Sequence, residues 1–323
     1  MMIVVRILAR VSVACVLAWP GPVVAEAVAG EGRVAAVATR RILFAGSSST
    51  YWNDMPNEIA KVISSNGGMD GATVSADIVG RSGSDIRVYL DPRCDYQYGV
   101  KRGQSFLDRV SEEDFDYVVL QAVCSFITGG GADNPDGQAH AAAITKYCGA
   151  IRESGAEPVI YEMGWGRGDR EADGRRRILE LAIKNDVRLY VPCSTAWERV
   201  RRERPEVLLQ HPGDASHPGD LGHFLNLACF YAVLRNESPV GRLPRNFHVW
   251  PHLSKPEQEA KKEQIDAAVA SFRPDEYQAR LPGWMRRHAG SGFRGEVSEQ
   301  DATYLEQVAW DAWKEMQPKL AEP

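Results

Sequence analysis

The sequence has few cysteines, no surplus of positive charge and no long apolar run, and each shortage excludes a kind of protein. Six cysteines occur in 323 residues and no two are spaced Cys-x-x-Cys, so we expect no structural zinc or other metal site of that type. The formal net charge of −5 gives no reason to expect a nucleic acid as partner. A bilayer span needs about 20 apolar residues, and no run reaches that length, so stable membrane insertion is not expected.

Residues 1–25 have the three-part pattern of a cleaved export signal. Two arginines precede a short apolar run, Val11 to Trp19, which is followed by helix breakers and then by a small-residue site ending at Ala25. We therefore expect export to the periplasm or the extracellular space, and a mature N-terminus near Glu26. The small residues of 26–40 predict a flexible N-terminal segment.

Five cysteines remain after the predicted cleavage: Cys94, Cys124, Cys148, Cys193 and Cys229. An odd number leaves at least one of them without a partner inside the chain. An exported protein can form disulfides, and Cys94 lies in a polar loop, with Cys124 as its first candidate partner. The other pairings stay open.

Short apolar runs alternate with longer amphipathic segments from residue 41 to residue 239. The candidate strands are Ile42–Ala45, Val74–Val79, Tyr117–Gln121, Pro158–Glu162 and Val187–Val191. The candidate helices are Pro56–Ser65, Gln104–Val110, Gln138–Ser154, Arg175–Asn185, Ala196–Glu203 and Leu221–Leu234. This alternation predicts an α/β fold, a three-layer α/β/α sandwich around a five-stranded parallel sheet. In such sheets ligands bind beyond the carboxyl ends of the strands.

Two further helix patterns, Pro256–Phe272 and Glu299–Met316, follow this region. Two helices offer little core for an independent domain. We therefore expect residues 240–323 to form a helical extension packed on the domain of residues 41–239.

A candidate nucleophile follows the first predicted strand, in Gly46-Ser47-Ser48-Ser49-Thr50. A serine hydroxyl is a poor nucleophile unless a base takes its proton and donors stabilise the oxyanion. Gly46 permits a tight turn and the close approach of a substrate, and amides at the start of the next helix would face the developing negative charge. The chemistry alone does not choose among the three serines.

A candidate base lies far downstream, in Asp214-Ala215-Ser216-His217-Pro218. An acid three residues before a histidine can orient the imidazole within one short turn, as a general base requires. We expect Asp214 to fix the tautomer of His217. His211 and His223 are rivals in the sequence, but His211 has no helix in register after it and His223 falls within a helix pattern.

Together these segments resemble the SGNH (GDSL-like) hydrolase family in its Gly-Asn-Ser-x-Thr-like variant. The resemblance makes Ser48 the nucleophile, with Ser47 where Asp or Asn is usual and with Thr50 matching. It implies an oxyanion hole of Ser48, Gly83 and Gln121, in which glutamine replaces the family's asparagine with the same amide on a longer arm. It also implies a flavodoxin-like sandwich and ester hydrolysis by a Ser-His-Asp triad through an acyl-enzyme, without metal or cofactor.

Two tryptophans give the only clue to a substrate. Trp52 follows Ser48 by four residues, and Trp165 follows the fourth predicted strand, so both could stack on a sugar ring or wall an acyl pocket. We expect small acyl esters as substrates, foremost O-acetyl groups on carbohydrate. A lysophospholipase-like lipid acyl hydrolase and a catalytically degenerate glycan-binding or envelope protein are the alternatives, and the oligomeric state stays open.

Overall fold

The computed structural model describes residues 38–91, 94, 99, 104–127, 135–211, 214–248 and 294–321. The predicted export signal, nearly all of the predicted flexible segment 26–40 and the predicted helix 256–272 lie outside these described residues.

A five-stranded parallel sheet forms the centre of the molecule. Its strands are β1 (Thr39–Gly46), β2 (Thr73–Gly80), β3 (Tyr117–Val123), β4 (Glu157–Met163) and β5 (Leu189–Val191). The spatial order is β2-β1-β3-β4-β5, with every pair parallel, which is the flavodoxin-like order. The predicted fold class is therefore confirmed. Near-continuous apolar runs form these strands because both faces of the sheet are covered.

The described residues contain two short 3-10 helices, Trp52–Asp54 and Ile86–Leu90, and nine α-helices: α1 (Ser48–Tyr51), α2 (Met55–Ser65), α3 (Phe106–Glu112), α4 (Cys124–Ile127), α5 (Pro135–Glu153), α6 (Gly168–Lys184), α7 (Cys193–Glu203), α8 (Asp220–Arg235) and α9 (Glu299–Ala321). Helix α2 contacts α8, while α3, α5 and α6 form another contacting group, so helices cover both faces of the sheet. Helix α8 is buried on nearly all sides, as expected of a helix that is apolar all round.

Two short antiparallel sheets of two strands each are also described. One pairs β6 (Gln210–His211) with β7 (Asp214–Pro218), and the other pairs β8 (Asn246–His248) with β9 (Arg294–Glu296). No described helix is long and apolar enough to cross a bilayer.

The last helix packs on the sandwich. Ser298 caps its first turn by accepting a hydrogen bond from the Asp301 N–H at 3.1 Å, and α9 contacts α8, α7 and α6. Its Glu306 is completely buried and accepts a hydrogen bond from the Gly241 N–H at 2.9 Å. The domain boundaries themselves stay a prediction.

The Cys94–Cys124 disulfide considered from the sequence is not formed. Both residues are thiols, and Cys124 is completely buried at the junction of β3 and α4. The backbone of Cys124 passes so close to α6 that a Cβ on Gly174 would lie 2.4 Å from the Cys124 carbonyl oxygen. Cys124 thus continues the apolar run of β3 into the core.

One buried carboxyl makes the stability of the fold depend on pH. Glu162 on β4 is 1% exposed and accepts hydrogen bonds from the Tyr190 hydroxyl and, at 2.6 Å, from the Thr195 N–H at the start of α7. Burial raises the pKa of Glu162 from 4.5 to about 7, although these hydrogen bonds oppose the shift. The folded chain therefore holds this proton more tightly than the unfolded chain, so its contribution to stability is full below about pH 4.5 and is lost as the pH rises through 7.

We expect Glu162→Gln to remove this pH dependence. Relative to wild type, the free energy of unfolding of the variant should rise by about 3 kcal/mol between pH 4.5 and pH 8, because each pKa unit is worth about 1.4 kcal/mol. Urea denaturation at several pH values measures the difference. Glu180→Gln, on the exposed side of α6, controls for the loss of a negative charge, and a difference for Glu162→Gln that does not change with pH would contradict the assignment.

Candidate active site

The turn after β1 exposes one of its three serines. Ser47 is extended (φ −92°, ψ −166°) and precedes α1, which begins at Ser48. Ser47, Ser49 and Thr50 are 8%, 6% and 0% exposed, whereas Ser48 is half-buried. Ser48 is therefore the serine of this turn that a solute can reach.

The side chain of Gln121 on β3 is hydrogen-bonded to this turn at several points. Its Oε1 accepts hydrogen bonds from the Ser47 N–H at 2.7 Å, the Ser47 hydroxyl at 3.2 Å and the Thr50 hydroxyl at 2.5 Å. Its Nε2 donates to Ser47 Oγ at 3.0 Å. A Cβ on Gly46 would lie 2.4 Å from Gln121 Oε1, so the turn needs glycine there. This contact set was not predictable from the sequence, and donation by Gln121 to an oxyanion stays a prediction.

The loop after β2 is tied to the same turn. The Tyr89 hydroxyl donates to the Gly46 carbonyl oxygen at 2.6 Å and accepts from the Arg81 N–H at 3.1 Å. A second link joins the Tyr51 and Ser82 hydroxyls. Gly83 stands in this loop, exposed and with φ +62°, a conformation that favours glycine. The loop predicted to supply an oxyanion donor thus lies beside α1, while the donation itself stays a prediction.

His217 lies beside the helix of Ser48. Strand β7 contacts α1, and the His217 imidazole stacks on the indole of Trp52 with centroids 3.8 Å apart and planes 12° from parallel. Trp52 follows directly after α1, and its N–H donates to the Ser48 carbonyl oxygen. Ser48 and His217, which are 169 positions apart in the sequence, are therefore on neighbouring elements at one edge of the sheet.

Asp214 lies in a different local structure from the one expected. Residues Asp214–Pro218 form a strand rather than a short turn, paired irregularly with Gln210–His211. In a regular strand, residues three apart fall on opposite faces. Contact between the side chains of Asp214 and His217 therefore requires the irregular pairing of this hairpin. The side chain of Asp214 lies outside the described part of the structure, and its pairing with His217 stays a prediction.

The two rival histidines are both buried. His223 is completely buried in α8, with its ring 5.3 Å from that of Phe247. His211 is 9% exposed and meets the edge of Trp52 at 5.7 Å between centroids, with the planes at 83°. His223 therefore belongs to the core, whereas His211 lies close enough to His217 to serve as its experimental comparison.

The two tryptophans predicted to bind substrate have different surroundings. Trp52 is 7% exposed, and its ring is in contact with the rings of His211 and His217. Trp165 is half-buried at the end of β4, where its ring meets Trp197 at 5.2 Å and its carbonyl oxygen accepts from Arg201 at 2.6 Å. Strand β4, which Trp165 follows, is two strands from β1, and this corresponds to about 10 Å at the usual spacing between strands. A substrate role for either ring stays a prediction.

Solved structures similar to this chain were found among known proteins. No family model matches the sequence, and no curated protein does. Similar solved structures include the acetyl xylan esterase AlAXEase, 14% identical with a TM-score of 0.44 over 59% of this chain and 98% of that one. TesA is 16% identical with a TM-score of 0.42 over 61% and 99%. The protein YxiM from Bacillus subtilis is 15% identical with a TM-score of 0.44 over 62% and 57%. The observed strand order is the flavodoxin-like order that the resemblance to the SGNH hydrolases implies.

Proposed function

We propose that the chain is an exported serine esterase with Ser48 as nucleophile, His217 as general base and Asp214 as the group that orients the base. The observation that carries the proposal is the placement of Ser48. It is the accessible serine of a clamped turn at the carboxyl edge of the sheet, and its helix contacts the strand that carries His217. A nucleophile and a base on neighbouring elements are the minimum that acyl transfer requires.

The reaction proceeds in two matching halves. Ser48 Oγ attacks the acyl carbon, its proton passes to His217 Nε2, and the carbonyl electron pair moves onto the oxygen. Donors from Ser48, Gly83 and Gln121 stabilise that oxyanion. The intermediate collapses, and the departing alcohol takes the proton from His217. Water then repeats the sequence on the acyl-enzyme, releasing the acid and restoring Ser48.

We propose small acyl esters as substrates, with O-acetyl groups on carbohydrate first among them. The Gly83 loop offers an exposed, polar approach to Ser48, with Ser82 and Arg81 beside it, which suits a hydroxylated alcohol group better than a long acyl chain.

Turnover on a graded set of esters tests the proposal. We expect p-nitrophenyl acetate to be cleaved with higher kcat/KM than the butyrate and octanoate, and acetate to be released from acetylated oligosaccharides. The Ser48→Ala protein is the negative control for enzymatic turnover. A preference for octanoate would assign the chain to lipid acyl hydrolysis. Binding of the oligosaccharide without acetate release would identify a degenerate glycan-binding protein.

A further inference from the structure

The face of Trp52 is occupied by an imidazole rather than open to a ligand. The indole and the His217 ring are parallel within 12° and 3.8 Å apart, which is close contact over the ring faces. His211 meets the indole edge-on. A side chain so covered, and only 7% exposed, offers little surface to a substrate.

The backbone around Trp52 sets the direction in which its side chain leaves the main chain. The Trp52 N–H closes an α-helical hydrogen bond to the Ser48 carbonyl oxygen, and residues four apart on a helix share a face. The next two residues, Asn53 and Asp54, have φ of 59° and 56°. This left-handed conformation is uncommon outside glycine, although Asn and Asp adopt it most readily. The chain thus turns sharply into α2 and leaves Trp52 on the side of Ser48.

We propose that Trp52 is a positioning residue for the base: its indole face sets the plane of the His217 imidazole and favours the imidazolium that forms when Ser48 loses its proton. This inference rests on the proposed function. A cation over an indole face is attracted by the ring quadrupole, and a histidine that acts as general base is neutral before proton transfer and charged after it. The contact therefore stabilises the transition state more than the ground state, which raises kcat rather than lowering KM.

The decisive variants are Trp52→Leu and Trp52→Phe. We expect Trp52→Leu to lower kcat by about 10- to 100-fold with KM changed less than about threefold, because a small displacement of a catalytic group has effects of that size. Trp52→Phe keeps an aromatic face and should recover most of the loss. Trp310→Leu, a half-buried tryptophan of α9, is the matched control and should have wild-type kinetics. A rise in KM at constant kcat would make Trp52 a substrate wall and overturn the inference.

Proton NMR of His217 tests the stack without using activity. In Ser48→Ala protein, the ring protons of His217 should be shifted upfield by the indole, and Ser48→Ala/Trp52→Leu should move them downfield. Trp52→Phe should give an intermediate shift and serves if the leucine variant does not fold. Resonances that do not move would overturn the inference. If the stack is seen while wild-type protein cleaves no ester, the proposed function fails rather than the ring contact.

Discussion

Ser48→Ala and His217→Ala are each expected to lower kcat by on the order of 10⁴- to 10⁶-fold, with the folded structure retained. The double variant should be less than about tenfold worse than either single variant, because the two groups act in one proton transfer and their effects are not additive. Steady-state kinetics on p-nitrophenyl acetate measure all three. Additive losses would show that the two residues act in separate steps.

Ser49→Ala is the matched control for the nucleophile. Ser49 is adjacent to Ser48 but buried, 6% exposed, so its loss should leave an active enzyme. Ser47→Ala should also retain activity, although it removes one hydrogen-bond partner of Gln121. Labelling with a fluorophosphonate and mapping the adduct by mass spectrometry locates the nucleophile directly, and an adduct on either neighbour would replace Ser48.

His211→Ala is the matched control for the base. His211 and His217 both contact Trp52, but only His217 is on the same strand as Asp214. We expect His211→Ala to lose less than about tenfold in kcat. A loss as large as that of His217→Ala would transfer the role of base to His211.

The sheet was predictable because its central strands β1, β3 and β4 are largely apolar and buried on both faces. The predicted strands 42–45, 74–79, 117–121 and 158–162 all lie within observed strands, and the fifth begins two residues later than predicted, at Leu189. A buried parallel strand appears in the sequence as one nearly continuous apolar run, and such a run is a strong local signal of a strand. The short elements carry no comparable signal, so α1, α4 and the β6–β7 hairpin were not predicted.

The candidate site was predictable only to the level of which residues meet at the sheet edge. The resemblance to the SGNH family indicates Ser48, Gly83 and Gln121, and the carboxyl ends of parallel strands share an edge. The stacking of Trp52 on His217 joins residues 165 positions apart, and no local pattern encodes such a contact. For the same reason the sequence suggests only a substrate role for Trp52, which stays a prediction, and it places Asp214–His217 in a turn rather than in β7.

Gln121→Ala is expected to lower kcat by about 100- to 1,000-fold, the usual effect of losing one oxyanion donor, with a much smaller rise in KM. It should also lower Tm. The substitution removes the acceptor of the Ser47 N–H, the Ser47 hydroxyl and the Thr50 hydroxyl, and each buried donor left unsatisfied costs about 1–3 kcal/mol. Activity alone therefore cannot distinguish an oxyanion donor from a clamp that holds the serine turn.

The double variant Ser47→Ala/Thr50→Val separates these two roles. It removes the side-chain partners of Gln121 in the turn but keeps the amide, which has two N–H groups, one of which donates to Ser47 Oγ in the wild type. If Gln121 donates to the oxyanion, the double variant should lose stability to a similar extent but less than about tenfold in kcat. Thermal unfolding and kinetics on the same samples give both quantities. Equal losses of kcat in the double variant and in Gln121→Ala would show that Gln121 acts only by holding the serine turn in place. The disturbed turn would then account for the whole loss of kcat. The oxyanion would in that case depend on the backbone donors of Ser48 and Gly83.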